Sequence, residues 1–352
     1  MTIPRTTDDL DDIFGPVETS RTRVIPFVTR PAETELPSAE DLSEDQFIAA
    51  VHRLHEDTTK YPQFPWGALA DLAGPMCPED LVLVAARTGG GKSLFLQNLF
   101  DALIVAGRQG LYAGLEQSPQ VLRIKWACLR AKIAPKFLLA TRKEDRGSTD
   151  WRLAMERVQD ELAWMRSPAV KVRAHFAAAR RIDKHGLRDW TLWAVDHGCE
   201  FVVIDHVDRM KHGDGKNSFQ ELSETIQLAK ELAVEHRIVM LMATQVGRPA
   251  DALDQFMPPA LHNLRGAGTK EEEADTVLGI YRPLRMGTTD KELKAVRQGL
   301  RDRETVIESG TMGVQLLKHR LDGPVAGKMV KLRVDRGCVS DLYDRSSKPL
   351  EP

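Results

Sequence analysis

Leu81–Phe100 reads LVLVAARTGGGKSLFLQNLF, and the order of its parts decides the fold. LVLVAA is a short, unbroken apolar run, the pattern of a strand covered on both faces. From Ser93 the apolar residues fall at helical spacing through SLFLQNLFDALIVAG, which stops at a glycine cap. Between strand and helix lie three glycines, a lysine and a serine. A phosphate-gripping loop needs inward-pointing backbone N–H groups, small residues that let the backbone close in, and a helix N-terminus behind them. Gly89, Gly90 and Gly91 meet the first two needs, and the helix starting near Lys92 meets the third. The pattern GxxxxGK[ST] usually begins with glycine, and here Ala86 stands in that place. That position serves the turn out of the strand, and alanine is the smallest residue that could replace it. A nucleotide is therefore expected along Arg87, Thr88, Gly89, Gly90, Gly91, Lys92 and Ser93, with Lys92 on the β- and γ-phosphates and the Ser93 hydroxyl on Mg²⁺.

Further along, strands alternate with helices. GLYAGLE is a strand, with a basic helix after it around residues 121–133. FVVID (201–205) and IVMLMATQ (238–245) are strands separated by the helix FQELSETIQLAKELAVEH. TVLGIYR (276–282), MGVQLLKHR (312–320) and MVKLRV (329–334) supply more, the last two as a hairpin about LDGPVAG. This alternation predicts an α/β fold with a mostly parallel central sheet covered by helices. The basic run KVRAHFAAARRIDKHGLRDW (171–190) reads as an outer helical face.

Three polar residues end these strands, where ligands of open α/β sheets gather. Asp205 closes FVVID and fits the metal-side carboxylate beside a phosphate loop; an Asp in that place can instead cap the next turn, but beside such a loop the metal role is favoured. Glu116 closes GLYAGLE and is the best candidate to orient or deprotonate an attacking water; an acid just before a helix also suits the helix dipole. Gln245 closes IVMLMATQ and could sense the γ-phosphate.

Taken together these segments resemble the C-terminal ATPase domain of DnaB-type replicative helicases, a branch of the RecA-like ATPases. AARTGGGKS, GLEQS, VVIDHVDRM, ATQVGRP, LRGAGTKEEEADTVLGIYR and LLKHRLDGPVAG follow one another in that family's order, over about residues 62–342. The family's loop is also introduced by Ala-Arg, which accounts for Ala86. The resemblance implies an ATP hydrolase with Glu116 as catalytic glutamate and Asp205 on Mg²⁺. It also implies that Lys318 and Arg320 of the hairpin act on ATP held by the adjacent subunit, Arg320 as a finger in trans. A basic, solvated strand is the bland reading of the same pair. A homo-oligomer, a six-fold ring, follows from the resemblance, as do single-stranded DNA as partner and 5′-to-3′ movement in DNA replication. Two loops would meet DNA. The first offers Arg209, Lys211, His212 and Lys216; the second offers Arg248, His262, Arg265 and Gly266. Basic groups on glycine-containing loops suit sequence-independent gripping of phosphates, and Phe256 is the only aromatic in either loop.

Composition bounds the rest. Hydrophobic residues at 42% against 28% charged are ordinary for a globular chain, and no run approaches the roughly 20 apolar residues of a membrane helix. Four scattered cysteines without metal spacing fit a reducing cytoplasm. Residues 1–45 hold eleven acids and four bases, so an acidic tail precedes a mildly basic body. The expected layout is a flexible tail at 1–40, a linker helix at 41–61 built on Phe47, Ile48, Val51 and Leu54, the ATPase domain at 62–345 and a flexible end at 346–352. The family's N-terminal collar finds no room here, which leaves a loader or primase partner unknown. A RecA-like switch or recombination protein that binds DNA without unwinding it, and an ATP-gated assembly module, are the rival functions.

Overall fold

The computed structural model describes residues 60–139, 148–178, 182–211, 217–247, 258–264, 267–282, 310–320 and 328–342. The expected tail, most of the linker helix and the 346–352 terminus lie outside them. From Tyr61 onward the chain forms one compact unit.

A short helix α1 (Gly67–Ala73) leads into strand β1 (Leu81–Ala86), whose six residues are all buried. The glycine loop follows, then α2 (Lys92–Val105). Gly107, at φ 89°, turns the chain out of α2, and the N–H of Arg108 reaches back to the Leu103 carbonyl at 2.9 Å, a glycine-terminated helix end as expected. Next come β2 (Gly110–Gly114), α3 (Pro119–Arg130), α4 (Pro135–Leu139), α5 (Thr149–Met165), α6 (Pro168–Lys171), β3 (Ala174–Ala178) and α7 (Lys184–Asp196). Helix α3 starts with Ser118, whose hydroxyl accepts the Val121 N–H, and has proline in its first turn, both standard helix-start devices. The second half runs β4 (Phe201–Asp205), α8 (Asn217–His236), β5 (Val239–Gln245), α9 (Ala267–Glu273), β6 (Thr276–Tyr281), β7 (Thr311–His319), β8 (Met329–Asp335) and β9 (Cys338–Asp341).

Among the described residues these nine strands form one sheet in the order β3-β2-β4-β5-β1-β6-β7-β8-β9. The first six are parallel, and β7, β8 and β9 add antiparallel. This is the expected RecA-like architecture, with the β7–β8 hairpin where the sequence placed it. Side chains alternate across each strand, so the sheet carries two cores. Val82, Val84 and Ala86 face one side with Phe95, Leu99 and Phe100 of α2 and Trp126 of α3. Leu81, Leu83 and Ala85 face the other with Leu187 of α7 and Ile226, Ala229 and Leu232 of α8.

One expectation is corrected. Residues 171–190 are not one helical face: Ala174–Ala178 pair in parallel with β2 as the edge strand β3, and α7 begins only at Lys184. Alanines favour helix locally, but pairing against Gly110–Gly114 overrides that weak preference.

The two ends of the unit are stitched together. The Trp66 indole N–H donates to the Val339 carbonyl at 3.0 Å, and the Gly67 N–H donates to the Asp341 carboxylate at 3.0 Å. Asn98 on α2 binds the same strand, donating to the Gly337 carbonyl at 2.9 Å and accepting the Val339 N–H at 2.8 Å.

Candidate active site

Strands β1, β2, β4 and β5 all run the same way, so their C-terminal ends open on one edge of the sheet. The glycine loop leaves β1 there. Ala86 pairs with Gln245 on one side and Ile280 on the other, in ordinary extended backbone, so this turn makes no demand for glycine at its first position. The demand falls later. Gly91 has φ 102°, and a β-carbon there would lie 2.9 Å from Met312 Cε and 3.0 Å from Arg282 Cδ. Lys92 starts α2 with its ammonium buried in the loop, donating to the Ala86 carbonyl at 2.9 Å and the Arg87 carbonyl at 3.4 Å. Burial pulls its pKa down, against the attraction of Asp208, Asp205 and Glu116.

The Ser93 hydroxyl donates to Asp205 Oδ1 at 3.1 Å, and the buried Tyr112 hydroxyl donates to Oδ2 at 2.7 Å. Burial, and then Asp205, keep the Tyr112 proton on well above the usual phenol range. A serine oxygen and a carboxylate oxygen in contact beside a phosphate loop are a hard-oxygen donor pair of the kind Mg²⁺ takes alongside nucleotide phosphates. Among the described residues no group of three or more His, Cys, Asp or Glu could hold a metal by itself.

Gln245, the last residue of β5, reaches across and donates its side-chain amide to the Thr88 hydroxyl of the loop. Its backbone N–H donates to Asp208 Oδ2 at 2.7 Å. Glu116, two residues past β2, is half-exposed; its Oε1 accepts from Arg209 Nε at 2.7 Å and lies 3.4 Å from His206 Nε2. Burial would raise the Glu116 pKa, but the Arg209 hydrogen bond and the nearby His206 outweigh it and leave the carboxyl below its ordinary value.

Several residues of this edge were missed in the sequence. Asp208 is buried and holds His206 Nδ1 at 3.3 Å, the Thr244 hydroxyl at 3.3 Å and Lys270 Nζ at 3.5 Å. Burial opposes its charge, yet His206, Lys270 and the Gln245 N–H hold it well below the usual carboxylate range. Its one signal was a second acid three residues after Asp205. Arg282 and Tyr281 lie buried beside the loop; burial, partly offset by Arg87, pushes Tyr281 up to about 12.

Lys318 and Arg320 are elsewhere. Arg320 sits one residue past β7, and its guanidinium donates to Asp275 Oδ1 at 2.7 Å. Lys318 donates to the Glu272 carbonyl at 3.2 Å. Both belong to the edge where β1 and β6 begin, since His319 pairs with Thr276 and Thr276 with Val82. Among the expected DNA contacts, Arg209 is held by Glu116, while Lys211 and His262 are exposed. His212, Lys216, Arg248, Phe256, Arg265 and Gly266 lie outside the described residues.

Comparison with known proteins places the chain in a family. The family model of the DnaB-like helicase C-terminal domain matches residues 66–334. The replicative DNA helicase DnaB of Geobacillus stearothermophilus is 25% identical over 208 residues, 58% of this chain and 43% of that protein. DnaB of Rickettsia conorii is 26% identical over 265 residues, 68% of this chain and 49% of that protein. The chain thus spans less than half the length of these curated relatives. Among solved structures, one isolated ATPase domain superposes with a TM-score of 0.66 at 21% identity, covering 86% of this chain and all of that one. A DnaB-like replicative helicase, solved with its interactions with primase, gives 0.65 at 18% identity over 86% of this chain and 67% of its own. These two likenesses concern the fold. No helix among the described residues is long and apolar enough to cross a membrane.

Proposed function

The chain belongs to the DnaB-like helicase C-terminal domain family, and from that premise we propose that it is an ATP-driven helicase of DNA replication, moving 5′ to 3′ on single-stranded DNA in the cytoplasm as a ring of six copies. The observation that carries this reading is the division of the catalytic groups between two sheet edges. Val82, level with His319 beside Arg320, lies four residues from Ala86 at the loop, about 13 Å of extended chain. Arg320 points into its own Asp275, at the opposite end of the strands from its own Lys92. A second copy, docked edge to edge, would bring Arg320 and Lys318 to the neighbour's ATP.

In hydrolysis, Glu116 takes a proton from water as the water oxygen bonds to the γ-phosphorus. The bond to the bridging oxygen breaks, and ADP leaves with that oxygen. Lys92 and the loop amides hold the phosphates, and Arg320 from the neighbour spreads positive charge over the transferring group. Ser93 and Asp205 would hold Mg²⁺, which when bound neutralises phosphate charge. Gln245, tied to Thr88, would register phosphate loss and pass it to the loop after β5. Arg209, Lys211, Lys216, Arg248, Arg265 and Gly266 would follow the DNA backbone.

The test is ATP turnover with and without single strands, together with displacement of the strand of a forked duplex. Stimulation with displacement supports the helicase. Stimulation without displacement favours a DNA-binding switch, and indifference to DNA favours an assembly module.

A further inference from the structure

Glu116 is not waiting free for water. One oxygen, Oε1, is shared by two partners that differ sharply in how firmly they are held. His206 is fixed. Its Nε2 lies 3.4 Å from Glu116 Oε1, and its Nδ1 is bound by Asp208, whose side chain is 4% exposed and anchored in turn by the Gln245 N–H, Thr244 and Lys270. Arg209 is not fixed in this way. Its Nε contact with the same oxygen is shorter, 2.7 Å, but its side chain is 62% exposed, at the end of a single helical turn (Val207–Arg209) that opens the first DNA loop.

Resting on the helicase reading, we propose that Arg209 parks the catalytic glutamate, and that a backbone phosphate of single-stranded DNA releases it by drawing the Arg209 guanidinium away. An exposed arginine–carboxylate pair is weak in water, whereas phosphate offers the guanidinium a bidentate, charge-assisted partner. DNA therefore competes well for Arg209 and poorly for His206, which has no comparable exposure. While Arg209 holds Oε1, its guanidinium pins the carboxylate and offsets the negative charge that would draw a proton from water. Once Arg209 leaves, His206 and Asp208 still orient the carboxylate, and the same Asp208 ties it to Gln245 across the site. Hydrolysis is thereby withheld until the strand is in place, by exchange of one cation between two anions.

The test uses the full chain, with an oligothymidylate as the DNA and inorganic phosphate as a control for simple anion binding. The variants Arg209→Ala and Arg209→Lys are compared with the unaltered protein. Arg209→Ala is expected to raise DNA-independent turnover several-fold toward the stimulated rate, through kcat with KM for ATP unchanged, and to flatten the response to DNA. Arg209→Lys, which offers a point charge in place of the planar fork, is expected to lie between. Inorganic phosphate, lacking the multivalent hold of a strand, is expected to stimulate far less than the oligonucleotide. If the unaltered protein responds to DNA but basal turnover in Arg209→Ala stays level or falls, the parking role is overturned while the helicase reading stands. If the unaltered protein does not respond to DNA, the helicase reading itself fails, and the parking role with it.

Discussion

The two edges of the central sheet treat their charged groups in opposite ways. At the edge where β1, β2, β4 and β5 end, polar side chains from four strands converge on one loop and several touch a neighbour's functional group: Ser93 on Asp205, Gln245 on Thr88, Arg209 on Glu116. At the edge where β1 and β6 begin, one buried carboxylate organises everything. Asp275 accepts the Leu81 N–H at 2.8 Å and Lys230 Nζ at 2.6 Å, and holds Arg320 at 2.7 Å with the Arg320 side chain still 53% exposed. In the proposed reading the first edge would receive a ligand, and the second presents a cation. Under the proposed function, the half-exposed Arg320 bracketed by buried Asp275 would be handed outward, and one copy of the chain would carry two unlike halves of a site.

Arg320→Ala breaks the presenting edge alone. ATP turnover should fall about 10³–10⁵-fold with ATP affinity nearly unchanged, read by nucleotide titration. Mixing it with Glu116→Ala copies, damaged only at the receiving edge, should restore part of the turnover; no recovery at any ratio would count against sharing between copies. Lys92→Ala breaks the receiving edge, costing about 10²–10³ in rate, and here ATP affinity should fall as well. Asp275→Asn attacks the bracket: Lys230 and Arg320 lose their carboxylate, and folding stability should drop by about 3 kcal/mol in urea melts. The smallest effect is one of pH. Burial, with Asp275 adding, pushes Asp80 up to about 6 despite the Cys77 N–H, Lys230 and Arg320. A carboxyl raised in the folded state favours folding below its ordinary pKa, and that support is lost as pH rises through 6. The wild type should thus lose about 2 kcal/mol between pH 4 and 7 from this group, and Asp80→Asn should flatten that slope.

Much of the receiving edge was legible because its signals are local. LVLVAA and FVVID announce buried strands, and the polar residue that ends each run lands at the strand's C-terminal edge without further information. The presenting edge was half legible: the sequence placed Lys318 and Arg320 on a hairpin but could not show that Arg320 finds Asp275, forty-five residues away. β3 was misread for a related reason. AHFAA carries no period that distinguishes strand from helix, and only its pairing with β2 decides. Strand β9 is four residues long, too short to announce itself. His206 and Asp208 were passed over because burial beneath Glu116 and Gln245, rather than any motif, gives them their place.

The tie between Trp66 and Val339 has a consequence in time. The two residues are 273 positions apart, so during synthesis at ~5–20 residues per second the indole waits ~15–50 s for its acceptor to be made. Late in that interval the nascent chain carries the glycine loop and β1 to β7 but not yet β8 or β9, and one flank of the core still stands open to water. A newborn copy is therefore sealed last, and from the far end.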